Sequence, residues 1–140
     1  MTGHIVVGVD GSPSSVQALS WAVTQGVLTG DEVRAVIAWD FPAAYGAYPM
    51  SDDIDWGALA RSTMDDALGA TVGDTGKVSV SIVQGNAAKV LLEASSGADL
   101  LVVGNRGHGG FVELLLGSVS EHVITHATCP VLVMRGGVRS

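Results

Sequence analysis

Five short apolar runs recur along the chain, and the segments between them repeat their apolar residues at wider, helical intervals. This alternation constrains the fold more than any other feature. The runs are HIVVGVD, ending at Asp10, then EVRAVIAWD, KVSVSIVQG, ADLLVVG and CPVLVMR. Runs rich in β-branched residues and apolar at nearly every position suit strands buried on both faces. KVSVSIVQG alternates instead, as a half-covered strand does. Between them, Val16, Leu19, Val23 and Val27 mark a first helix, and Ile54, Leu59, Met64 and Leu68 a second. NAAKVLLEASSG reads as a third, and a fourth runs from about Val119 to His126.

Local signals set the ends. Ser12 suits an N-cap and Pro13 the first helical position, while Gly30 closes that helix. Asn86 is the N-cap expected for the third helix and Gly97 its C′ residue. Ser118 and Glu121 in SVSE match a capping box for the fourth. The resulting order, β-α-β-α-β-α-β-α-β, predicts an α/β fold: a parallel sheet with helices on both faces. A chain of 140 residues with 47% apolar content is expected to form one domain, residues 1–140, around a sizeable core. The segment 40–53 is its one long loop, of a length found in lids and in mobile connections.

Composition then excludes several classes. The net charge is −7 with only seven Lys and Arg, and no basic run exists to hold nucleic acid. No apolar stretch reaches the ~18 residues of a membrane span. A single cysteine, Cys129, has no partner for an internal disulfide, and no leader is read ahead of Ile5, so a soluble cytoplasmic protein is expected.

In an open α/β sheet, ligands bind past the carboxyl ends of the strands, where the winding reverses. With strands two and three on one side of strand one, and four and five on the other, the reversal falls between strands one and four. They end at Asp10 and Gly104. The segment after Gly104, GNRGHGGFVELLLGSVSEHV, is dense in glycine. Gly104 and Gly107 permit positive φ and a close approach of backbone to ligand. Gly117 and Ser118 open a helix whose N-terminal amides and dipole favour an anion, phosphate above all. Ser118 has two compatible roles there, as a cap and as a ligand contact. Asp10 is a turn former or a contact residue. Arg106 and His108, inside the glycine loop, either reach phosphate or stay solvated.

Other candidates carry less. His122 and His126 have a spacing that can bind zinc, but EHVITH lacks a glutamate inside the pair and further ligands nearby, so no metal site is expected. Cys129 is expected to be a packed, inert thiol, and Trp21, Trp39 and Trp56 packing residues, Trp39 with a possible place in the pocket wall. There is no G-x-x-x-x-G-K-[ST], no G-x-G-x-x-G after the first strand and no G-x-S-x-G, so no catalytic residue is assigned.

GNRGHGGFVELLLGS fits G-x2-G-x9-G-[S/T], and with IVVGVDGSPSS at the front and GSVSEHVITHATCPVLVMR at the end the chain resembles the universal stress proteins throughout. The resemblance implies a Rossmann-like five-stranded parallel sheet, order 3-2-1-4-5, with four helices. It implies ATP as ligand, with magnesium or manganese on the phosphates, and the residues promise at most a slow ATPase. Asp10 would contact ribose or base, and the backbone near Val9 and Ala38 would border the adenine. Val103 and Gly104 would approach the nucleoside, and Gly107, Gly117, Ser118, Val119 and Ser120 would hold the phosphates. It also implies a homodimer through the last strand, Pro130 to Arg135. Two other readings stand beside it: cyclic AMP as the ligand, or a partner-binding dimer whose site stays empty.

Overall fold

The computed structural model describes residues 3–40, 54–105 and 117–135. The chain runs β1 (His4–Gly8), α1 (Pro13–Thr29), β2 (Glu32–Trp39), α2 (Trp56–Ala70), β3 (Ser79–Gln84), α3 (Ala87–Ala94), β4 (Leu100–Gly104), α4 (Ser118–His126) and β5 (Val131–Met134). All four strand pairings are parallel, and the sheet order is β3-β2-β1-β4-β5, as expected. Among the described residues, no helix is long and apolar enough to cross a membrane. The 40–53 loop lies outside the described residues apart from Asp40.

Successive side chains of a strand point to opposite faces, so each buried strand feeds two cores. Ile5, Val7 and Val9 join Val33, Ala35, Ile37 and Val102 against α1 and α2. Val6, Val36, Leu101 and Val103 pack against Ala88, Val90 and Leu91 of α3 and Val123 of α4. The helices therefore cover both faces, and β1 and β4 are sealed in the middle.

The caps behave largely as the sequence implies. Ser12 accepts from Ser15 N, with Pro13 opening α1, and Gly30 ends it at φ 82°. Asn86 accepts from Lys89 N at the head of α3. Gly97 takes its left-handed φ of 83° one position later than expected, because Ser95 already caps that helix.

Three expectations are corrected. Val27 continues the apolar stripe of α1 yet is 76% exposed. The buried face of α1 runs through Ala18, Ala22 and Gly26, and Val27, about 100° further around the helix than Gly26, faces solvent. On α2, the buried face is Ala60, Met64 and Ala67, whereas Ile54 and Leu59 are exposed. Steps of five residues turn by about 140° around a helix and leave the face they started on. At α4, Gly117 is the N-cap and has no side chain with which to cap the helix. Glu121 N reaches Gly117 O, so Ser118 is already helical and the expected Ser118–Glu121 capping box does not form.

Met64 has no exposed surface. Met64→Ala is therefore expected to cost about 2–5 kcal/mol through lost contacts and a residual cavity, and Val27→Ala under about 0.5 kcal/mol. Urea denaturation midpoints of the two variants check the contrast.

Candidate functional site

Past the carboxyl ends of β1 and β4, on the side of α3 and α4, a cleft opens to solvent. Its walls are built from short side chains. Gly8 and Val36 form the inner part, Ala38 and Val103 the strand ends, and Ala87 and Leu91 the side given by α3. Gly8 is required by a close contact: a Cβ there would lie 2.8 Å from Leu91 Cδ1. The glycine lets α3 press its leucine onto the strand while the cleft beside it stays open.

The rim on the β1 side is a hydrogen-bonded turn. Asp10 Oδ1 accepts from Ser12 N at 2.8 Å, and Asp10 N donates to Ser15 Oγ at 3.3 Å. Ser15 Oγ in turn donates to Ser12 O at 3.0 Å. Gly11 makes the bend possible with φ 85°. Asp10 is thus a turn former, and it is also exposed at the cleft. The two roles coexist in one residue.

The rim on the β4 side ties α4 to the strand. Asn105 N donates to Met134 O at 2.8 Å, and Gly117 N donates to Asn105 O at 2.7 Å. Ser120, 5% exposed, donates its hydroxyl to Gly104 O at 2.5 Å. These bonds hold the first turn of α4 beside the end of β4. The N-cap residue, Gly117, brings no side chain to cap that turn. Its amides and dipole therefore give the cleft an electropositive end in a chain of negative net charge.

Gly104 differs from its expected use. Its φ is not positive, since the positive-φ glycines among the described residues are Gly11, Gly30, Gly73, Gly85 and Gly97. A Cβ at Gly104 would run into Ser14 Oγ and lie 2.8 Å from the Ser14 carbonyl carbon. What approaches this glycine closely is the first turn of α1.

Of the residues singled out from the sequence, Val9, Asp10, Ala38, Val103, Gly104, Val119 and Ser120 line the one cleft. Gly117 and Ser118 sit at the head of α4, immediately before two of them, with Ser118 exposed. Arg106, Gly107 and His108 lie outside the described residues. Sequence reasoning missed Gly8, Ser15, Val36, Ala87 and Leu91. A glycine inside the β-branched run at Gly8 was the one available signal, because it marks a close approach of another element. Trp39 packs instead on the opposite face, against the α1–α2 core and beside Gly57. Cys129 is partly buried against the α3–α4 core. Among the described residues, no group of three His, Cys, Asp or Glu side chains is placed to hold a metal ion.

With this geometry in hand, known proteins can be compared. The family model described as the universal stress protein family matches residues 1–135. A universal stress protein of Mycobacterium tuberculosis is 33% identical over 137 residues, covering 96% of this chain and 48% of that protein. The chain thus spans about half the length of the mycobacterial relatives it matches. A universal stress protein of Thermus aquaticus is 30% identical over 133 residues, with 94% of this chain and 97% of that protein covered. Among solved structures, a universal stress protein in complex with cAMP aligns at a TM-score of 0.65 with 30% identity, over 97% of this chain and 98% of that one.

Gly104→Ala is expected to destabilise the fold by about 1–3 kcal/mol, since the backbone of Ser14 stands in the way as well as its side chain. Adding Ser14→Gly removes only the side-chain part, so the double variant should recover part of the loss in a denaturation series.

Proposed function

The chain belongs to the universal stress protein family, and on that footing we propose that it is a regulatory module that binds an adenine nucleotide, ATP, in the cleft between β1 and β4. One observation carries the reading: an apolar slot and a helix N-terminus that opens on a glycine meet at the point where the sheet reverses its winding. A flat base fits the slot and an anion fits the helix end. The Gly104, Gly107, Gly117 and Ser118 signature agrees with it.

In this reading the adenine lies between the backbone at Val9 and Ala38 and the side chain of Val103. The Asp10 carboxylate accepts from a ribose hydroxyl, using lone pairs beyond the one given to Ser12 N. The phosphates rest on the first amides of α4. The Ser120 hydroxyl proton is already given to Gly104 O, so Ser120 serves the phosphates through its backbone N–H. A magnesium or manganese ion belongs to the phosphates, since the described residues offer no three-ligand cage. β5 has β4 as its neighbour on one side, and its four residues are all half-buried, which suits pairing with a second copy along Pro130 to Arg135.

A second reading is favoured by one relative. The solved universal stress protein bound to cAMP is 30% identical to this chain. A cyclic phosphate uses the same base slot and asks for fewer amides from α4.

Calorimetry with ATP, ADP and cyclic AMP separates the readings. The ATP reading predicts that ATP binds and that Gly117→Val lowers its affinity at least about tenfold with the circular dichroism spectrum unchanged. The backbone of Gly117, at φ −68° and ψ 159°, accepts valine without strain. Exclusive binding of cyclic AMP selects the second reading, and no heat with any adenine nucleotide leaves a partner-binding module. A phosphate-release assay on the ATP complex measures any turnover.

A further inference from the structure

We infer that Ser15 is a positioning residue of the cleft. Its hydroxyl fixes the backbone of Asp10, so that the Asp10 carboxylate meets a ribose hydroxyl and the cleft prefers a ribonucleotide. The inference rests on the reading that the cleft takes ATP. Ser15 lines the cleft and is 2% exposed.

Asp10 stands where the chain leaves the sheet. Val9 N still donates to Val36 O at 2.8 Å, continuing the pairing of β1 with β2. Asp10 N turns away and donates to Ser15 Oγ at 3.3 Å. Asp10 Oδ1 accepts from Ser12 N at 2.8 Å, and Gly11 bends the chain at φ 85°. Asp10 is thus held at its backbone by one serine and at its carboxylate by another. The hold matters because Asp10 borders two openings. One is the cleft, and the other is a groove between α1 and α2 lined by Gly11, Thr63 and Asp66. On a loose turn, the carboxylate would divide its time between them.

Helix capping does not account for the Ser15 hydroxyl. Ser15 follows the N-cap Ser12 at the position where a capping-box side chain reaches back to the N-cap N–H. Here Asp10 Oδ1 takes that N–H instead. Ser12 Oγ already accepts from Ser15 N at 3.2 Å, so α1 is capped without the Ser15 hydroxyl. That hydroxyl reaches further back, to Asp10 N, while its proton goes to Ser12 O at 3.0 Å. With the proton committed inside the turn, Ser15 acts on a ligand through Asp10 and not by donating to it. The turn is also braced from behind, since a Cβ on Gly104 would run into Ser14. A carboxylate held in place loses little freedom on meeting a hydroxyl, and positioning gains affinity in that way.

Calorimetry on the full chain and its Ser15→Ala variant tests this, with ATP and with a dideoxy analogue lacking both ribose hydroxyls. The wild-type chain should bind ATP about tenfold more tightly than the analogue, as one hydrogen bond to a charged group implies. Ser15→Ala should weaken ATP binding by about tenfold and leave the analogue within about twofold, so that the ribose preference is lost. On an Asp10→Ala background, Ser15→Ala should change ATP affinity no further. A serine with a structural role alone would weaken both nucleotides alike. A second measurement needs no variant: in the ligand-free wild type, the Asp10 amide should exchange with solvent at least about tenfold more slowly than an unstructured amide. No heat with ATP overturns the nucleotide reading and this inference together. ATP binding without ribose preference, a preference that survives Ser15→Ala, or an Asp10 amide exchanging at the unstructured rate overturns this inference alone.

Discussion

The parallel pairing of β1 with β4 organises everything else in this molecule. By the time the chain reaches β4 it has already laid β2 and β3 along the other edge of β1. Ile5, Val6 and Val7 then take Leu100, Leu101 and Val102 as partners. Because the chain changes sides here, the connections leaving β1 and β4 go to opposite faces of the sheet. A crevice remains between them. Val6, Val7, Leu101 and Val102 have no exposed surface, so these strands have no room for polar chemistry along their length. On the cleft side, polar side chains appear past the carboxyl ends of these strands, at Asp10 and Asn105.

Small residues set how tightly the helices close around that crevice. Gly8 accepts Leu91 of α3, and Gly104 accepts Ser14 of α1. Each glycine trades a side chain for a close helix–strand contact, one on either face of the sheet. The Ser120–Gly104 and Gly117–Asn105 bonds then fix where α4 begins. The cleft is therefore a by-product of core packing that ends in a helix terminus opening on a glycine. An anion is the natural complement of such a terminus, and a flat apolar ring is the complement of walls made of glycine, alanine and valine.

Much of this was legible in the sequence because burial on both faces leaves a plain mark. The runs IVV and LLVV, β-branched and apolar at every position between turn residues, suit central strands of a parallel sheet, and Ser12, Asn86 and Gly30 announce helix ends through their own local chemistry. What stayed hidden depends on distance in space. Nothing local says that the buried face of α1 passes through Ala22 and Gly26 and leaves Val27 in water. Nothing local says that the apolar face of α2 follows two alanines and Met64 rather than its larger aliphatic residues. Ser118 and Glu121 have the right spacing for a capping box, yet the chain enters the helix at Gly117, where Asn105 O holds its amide. Leu91 and Ala87 join the cleft only because α3 folds back over Gly8. The role of Gly104 needed Ser14, ninety residues earlier in the chain, to be seen.

The central claim is that an adenine nucleotide occupies the crevice at the β1–β4 fork. Mapping amide chemical shifts by nitrogen-15 NMR on addition of ATP addresses it residue by residue. The largest changes should fall on Gly8, Val9, Asp10, Val103, Gly104 and the first turn of α4 from Ser118 to Ser120, with α2 and β3 nearly still. An unchanged spectrum, or changes gathered between α1 and α2 around Gly11, Thr63 and Asp66, would contradict it.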